Sequence, residues 1–190
     1  MLFKGDVILA NFSFEEKTIN SKLIYQGKIV NLKVDEVRLP NGKTSFREVI
    51  EHPGAAAVLA ITPEKKVVLV RQYRYSVKEE LLEVPAGKIE ANEDPLECAK
   101  RELEEETGYV AENFKLLTKY YTSVGYGSEI LYLYLATGLK KSVTCPDREE
   151  FLEVVEYDLD QIKEILKQKK PLDSKTLISF LILQQLQFAE

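Results

Sequence analysis

Residues 87–109 read GKIEANEDPLECAKRELEEETGY and set eight acidic side chains beside three basic ones. The spacing predicts a helix. Asp94 can cap it, Pro95 suits the first helical position, and Glu97 stands at capping-box distance from Asp94. Gly108 is placed to end it in the left-handed conformation. On a helical wheel Leu96, Ala99 and Leu103 share one face, which should pack on a sheet. Glu102 and Glu106 lie one turn apart on the flank of that seam, neither buried nor fully solvated, with Glu105 a little further round.

Most glutamate-rich helices are solvated faces, and some of this one has the spacing of supporting pairs: Glu97 with Arg101, Lys100 with Glu104, Arg101 with Glu105. Glu102 and Glu106 are different. They form a like-charge pair that costs a few tenths of a kcal/mol when it has no counter-charge. A hard divalent cation reverses that sign, since Mg²⁺ prefers carboxylate oxygens and keeps coordination positions open to phosphates.

Upstream of the helix, EELLEVPAGKIE reads as a short strand ending in a Pro-Ala-Gly turn. AAAVLAI is an apolar run suited to a strand buried on both faces, and after TPEKK it is followed by VVLVRQYRY as a hairpin. Residues 1–50 are rich in β-branched and aromatic residues, with Asn41-Gly42 as a hairpin turn, and predict a small antiparallel unit ahead of a main domain over 51–190. Beyond the helix, strands are expected at FKLLTKYYT, EILYLYLATGL and FLEVVEYDL. Helices follow at DQIKEILKQ and at DSKTLISFLILQQLQ, the latter capped by Asp173 or Ser174. The fold class is α+β: an α/β/α sandwich preceded by an antiparallel β unit.

The chain has 190 residues, a net charge of −5 and a pI near 5.2, which argues against general nucleic-acid binding. An acidic protein that handles phosphate needs local arginines or a metal. Cys98 and Cys145 lack metal-ligand spacing and read as reduced structural thiols. The N-terminus makes a poor signal peptide, and LISFLILQQLQF is too short to span a bilayer, so no membrane partner and a cytoplasmic location are expected. His52, the sole histidine, has no serine elbow or reactive-cysteine motif to work with.

The glycine, glutamate and Arg-Glu-apolar-x-Glu-Glu-x-Gly-apolar register carried by Gly87, Glu93, Arg101, Glu102, Leu103, Glu105, Glu106, Gly108 and Tyr109 resembles the signature of the Nudix hydrolases. Tyr109 stands where an aliphatic residue is usual. The resemblance implies hydrolysis of a nucleoside diphosphate linked to another moiety, with Mg²⁺ or Mn²⁺ as cofactor. It also implies Glu102 and Glu106 as main metal ligands, Glu105 as a further or water-bridged ligand with a part in catalysis, and the Ala86 carbonyl as a backbone ligand. Gly87, Glu93, Arg101 and Gly108 would shape the box, Arg101 by pairing with a neighbouring carboxylate.

REVIEHPGAAAVLAI, RQYRY, EVPAGKIE and TSVGYGSEI are similar to the surroundings of the box in the ADP-ribose pyrophosphatase branch, extending the resemblance from about Leu23 to about Leu186. That branch implies Arg74 at the diphosphate, Arg47 and Glu48 at the adenine end, and Glu129 near the terminal ribose. Arg47 and Glu48 read equally well as a surface ion pair. A catalytic base is expected in CPDREEFLEVV, at Glu150 or at neighbouring Glu149. The branch further implies a homodimer whose N-terminal strands exchange between protomers. The expected reaction is ADP-ribose plus water giving AMP and ribose 5-phosphate. The alternatives are a Nudix enzyme for a nucleotide sugar or dinucleotide, and a non-catalytic module that senses ADP-ribose.

Overall fold

Pattern and turn chemistry account for the first unit of the computed structural model, which describes residues 13–142 and 151–187. Strands β1 (Lys17–Gln26), β2 (Asn31–Arg38) and β3 (Thr44–Glu51) form an antiparallel sheet in that order. The second turn is closed by the Leu39 N–H donating to Lys43 O and the Gly42 N–H donating to Leu39 O, and Gly42 takes φ +83°, a conformation that favours glycine. This unit comprises the described residues up to His52 together with Gly125–Gly127. Val37 is its one buried apolar side chain among the described residues, while Ile19, Leu23, Ile24, Tyr25 and Phe46 are exposed.

The second unit is organised by the strand buried on both faces, β4 (Ala55–Ile61). Ala56, Val58 and Ala60 enter one core cluster, and Ala55, Ala57 and Leu59 enter the other. Alternation along a strand explains this division, because successive side chains point to opposite faces. Around β4 are β5 (Val67–Arg74), β6 (Glu79–Glu83), β7 (Ala86–Lys88), then α1 (Pro95–Thr107), β8 (Tyr109–Tyr121), β9 (Ile130–Lys141), β10 (Leu152–Tyr157), α2 (Leu159–Lys167) and α3 (Ser174–Gln187). The strand order is β10-β5-β4-β9-β8, with β6 on β5, β7 on β4, and β4 parallel to β9. Cys98, Ala99 and Leu103 of α1 belong to the first cluster; Ile162 of α2 and Phe180 and Leu183 of α3 belong to the second. The sheet therefore lies between two helical layers, the sandwich that the sequence predicts. No helix of the described residues is long and apolar enough to cross a membrane.

Two local expectations need correction. The single strand expected in EELLEVPAGKIE is two strands on different partners, β6 along β5 and β7 along Ala55–Ala57 of β4. Pro85, between them, has no N–H for a ladder, and its carbonyl accepts from Val58 N–H at 2.9 Å. At the start of α1 Asp94 does cap, accepting from Leu96 N–H at 2.8 Å, but Glu97 turns away to Lys100 at 2.7 Å rather than closing a capping box. The reciprocal box occurs at α2, between Asp158 and Gln161.

Candidate active site

The α1–β7 junction gathers the box residues. Gly108 closes α1 at φ +66°, its N–H donating to Glu104 O at 2.8 Å. Leu103 and Ala99 are fully buried and fix the rotation of the helix, which sets the direction of the glutamates on its flank. Glu106 is more deeply placed than the wheel predicts: it is only 5% exposed, because β7 covers that flank. Its Oε2 accepts from the Ala86 N–H at 3.0 Å. One turn back, Glu102 meets the next residue of β7. A Cβ on Gly87 would overlap the Glu102 carboxylate, so glycine is what allows backbone and carboxylate to approach.

Arg101 resolves the repulsion among the acids. Its Nε and Nη2 donate to the two oxygens of Glu93 at 2.8 and 3.1 Å, and its Nη1 donates to Glu102 at 2.7 Å and Glu105 at 2.9 Å. Nη2 also lies 3.3 Å from Lys88 O, which ties α1 to the end of β7. Glu93 accepts in addition from Glu90 N–H, and the hydrogen bonds from Arg101 hold its carboxyl down at about 2. Cys98 lies behind the junction with its thiol pushed up to about 12 by burial, which keeps it protonated and inert.

The donor set suits a hard divalent cation: the carboxylates of Glu102, Glu105 and Glu106 and the backbone at Ala86 are all oxygen ligands. Among the described residues, no three acidic, histidine or cysteine side chains already converge as a cage. The reason is geometric. Glu102 and Glu105 are drawn to Arg101, and Glu106 to the Ala86 N–H.

Arg74, at the end of β5, is 41% exposed and forms a fork with Glu83 of β6, Nε to Oε1 at 2.7 Å and Nη2 to Oε2 at 2.6 Å. The charge of Glu106 also acts on it, which relates Arg74 to the α1 flank. Arg71 is committed elsewhere, to Glu153 at 3.3 Å. Glu129 Oε2 accepts from the Thr122 hydroxyl at 2.7 Å. In the first unit Arg47 is paired through its own fork to Glu16, at 2.5 and 2.8 Å, and not to Glu48. Adjacent on β3, Arg47 and Glu48 face opposite sides of their sheet. Glu149 and Glu150 lie outside the described residues. Sequence reasoning passed over Glu83, an acidic residue at the end of a short strand whose burial depends on partners distant in sequence.

Comparison with known proteins accords with this geometry. A NUDIX domain model matches residues 51–179, and a model described as the nucleoside diphosphate sugar hydrolase N-terminal domain matches residues 16–50. The chain is 49% identical to a methanol dehydrogenase activator of Bacillus methanolicus, over 90% of this chain and 94% of that protein. It is 43% identical to an ADP-ribose pyrophosphatase of Bacillus subtilis (strain 168), with the same shares covered. A crystal structure of an ADP compounds hydrolase superposes with a TM-score of 0.79 at 20% identity, covering 90% of this chain and 94% of that one, and supports the fold. With the NUDIX match spanning most of the chain and the box side chains gathered at one helix flank, this chain belongs to the Nudix hydrolase family.

Proposed function

We propose that the protein hydrolyses the pyrophosphate bond of ADP-ribose to AMP and ribose 5-phosphate, with Mg²⁺ or Mn²⁺ held by Glu102, Glu106, Glu105 and the Ala86 carbonyl. The observation that carries this reading is the junction where Glu102 and Glu106 each abut one residue of β7 while Arg101 steadies the flank. The identity to an ADP-ribose pyrophosphatase over most of both chains supports the choice of substrate. A divalent cation held by these oxygens would neutralise phosphate charge and make a water more acidic. Arg74 offers the outward edge of its guanidinium to the diphosphate, a planar fork suited to phosphate oxygens. Glu129 is assigned to the terminal ribose, and Arg47 and Glu48 to the adenine end, where the Arg47 plane can stack on the base. Glu150, or Glu149 beside it, takes the proton from the attacking water, with Glu105 the remaining candidate on the helix. The water oxygen bonds to the attacked phosphorus as the bond from that phosphorus to the bridging oxygen breaks, and the bridging oxygen leaves on the other phosphate with the electron pair.

The protein acts as a cytoplasmic homodimer in this reading. A first unit with one buried apolar side chain among its described residues and several exposed ones supports a partner for β1. Sedimentation should give twice the mass of the chain, and Leu23→Asp should shift it toward the monomer; a native monomer rejects the dimer.

The test of function is a panel of ADP-ribose, nucleotide sugars and dinucleotides with either metal, on the native protein and Glu106→Gln. ADP-ribose should be turned over fastest, and Glu106→Gln should lower kcat on the order of 10²- to 10³-fold, as expected for losing a group that stabilises charge in the transition state. Near-native activity in that variant rejects the ligand assignment. A second reading, a nucleoside diphosphate sugar as the preferred substrate, is favoured by the N-terminal match over residues 16–50 and would appear as faster turnover of a nucleotide sugar. Tight ADP-ribose binding with no cleavage would identify a sensor.

A further inference from the structure

The first turn of α3 holds a lysine where helices disfavour cations. Lys175 is 11% exposed, and no acidic residue of that turn offsets it, although the positive end of the helix macrodipole lies there. Its ammonium is held instead by Glu83 Oε2 at 2.5 Å and by Asp173 Oδ1, just before the helix, at 2.9 Å. Glu83 is 1% exposed and accepts at once from Lys175 and from both arms of the Arg74 fork. Asp173 Oδ1 caps α3 as well, accepting from the Lys175 and Thr176 N–H groups. The Thr176 hydroxyl in turn accepts from Val84 N–H at 3.0 Å, the residue before Pro85 and Ala86. One helical turn, outside the box, thus anchors both Arg74, through Glu83, and the backbone that leads into β7.

We infer that Glu83 and Lys175 are positioning residues that aim Arg74 at the substrate's phosphates, an inference that rests on the proposed hydrolysis of a nucleoside diphosphate derivative. A purely stabilising role is a poor account of the cluster, because apolar side chains of similar volume serve stability as well as buried ion pairs do. Two acids and two cations balance in charge, so the cluster can be buried, yet the guanidinium at its edge remains partly exposed. Nε and Nη2 are committed to Glu83, and among the described residues Nη1 has no hydrogen-bond partner. Glu83 therefore fixes the plane of the fork and leaves one edge for an anion. Lys175 keeps Glu83 ionised when that anion arrives. Burial alone would raise the Glu83 carboxyl, but the hydrogen bonds from Arg74 and the charge of Lys175 prevail and hold it below the ordinary carboxylate range. Without Lys175, Arg74 would carry the neutralisation of Glu83 alone and offer less net charge to phosphate.

The test is a double-mutant cycle in the full-length protein, read as KM and kcat for ADP-ribose and as Kd for ADP by calorimetry. Glu83→Gln should raise KM and the ADP Kd about tenfold, as for a lost charge-assisted hydrogen bond, with a smaller change in kcat. In an Arg74→Ala background the same substitution should change either constant by less than about twofold, because a residue that acts through Arg74 has nothing left to act on. Lys175→Met should weaken ADP binding, and Lys175→Arg should restore it. If Glu83→Gln does not fold by circular dichroism, the charge-balanced pair Glu83→Gln/Lys175→Met replaces it in the cycle. A tenfold effect that persists without Arg74, or native ADP affinity in Glu83→Gln or Lys175→Met, overturns the inference while native turnover leaves the hydrolase reading standing. A native protein that neither binds ADP nor cleaves any diphosphate of the panel overturns both.

Discussion

The two sheets spend similar residues on different ends. In the seven-stranded sheet, β4 and the first half of β5 are apolar at every position, since helices cover both faces, and Val58, Leu59, Val68 and Leu69 are fully buried. In the three-stranded sheet the apolar side chains are interspersed with charged and polar ones, and Leu23, Ile24 and Tyr25 remain about half exposed. Charged pairs divide the same way. Arg101 is drawn into a half-buried knot of three carboxylates, whereas Arg47 meets a single glutamate at the surface. Where a region has its own core, its arrangement is fixed from within. Where it has little, burial within the region contributes correspondingly less to holding it.

The largest effect that can break this contrast lies in the cores. Phe180, fully buried under the sheet, should cost about 3–5 kcal/mol on replacement by Ala, through lost transfer energy and the cavity left behind. Val37→Ala removes less apolar volume and should cost about 1–2 kcal/mol. Urea unfolding of both variants measures the difference. A larger loss at Val37 would mean that the first sheet depends on a core that the described residues do not contain.

Much of this division was readable beforehand. The unbroken run AAAVLAI foretold a strand covered on both sides, and Asp94, Pro95 and Gly108 foretold the ends of α1, because those effects act over a few residues. The even spacing of Glu102 and Glu106 foretold a common flank. What remained hidden depends on long-range partners. The split of β6 from β7 follows from which strands flank β4. The depth of Glu106 follows from β7 lying over α1, and the Glu83–Lys175 pair joins residues 92 apart in sequence. The facing of Arg47 away from Glu48 was available from strand alternation, but a motif that treats the two as a pair conceals it.

A smaller effect sharpens the contrast between the charged pairs. Arg101→Met should cost about 1.5–3 kcal/mol, the range for hydrogen bonds to charged groups, because the largely buried Glu93 carboxylate loses the guanidinium that holds both its oxygens. The pH dependence gives an independent reading. The Glu93 carboxyl is lowered from 4.5 to about 2 on folding, so between those values the unfolded chain binds more protons than the native one. The stability Glu93 contributes is complete above about pH 4.5 and is lost as the pH falls through about 2. In Arg101→Met that acid-limb loss should flatten, since the largest cause of the lowering is removed. Guanidinium-free thermal melts from pH 6 to 2 would reveal it, and an unchanged slope would mean that Arg101 does not govern Glu93.

The smallest effect is expected at Arg47→Ala. Its two hydrogen bonds to Glu16 are as short as those of the Arg101 knot, at 2.5 and 2.8 Å, so distance alone would predict equal costs. Exposure separates them: Arg47 and Glu16 are 42% and 32% exposed, water competes for both groups, and salt screens what attraction remains. Unfolding stability should therefore change little, and what change there is should shrink further in high salt. Affinity for ADP-ribose, in contrast, should fall if Arg47 stacks on adenine as proposed. A loss of stability matching that of Arg101→Met would show that the Arg47–Glu16 pair is shielded from water in the assembled protein, and the three-stranded sheet would then have to be counted as an interior region.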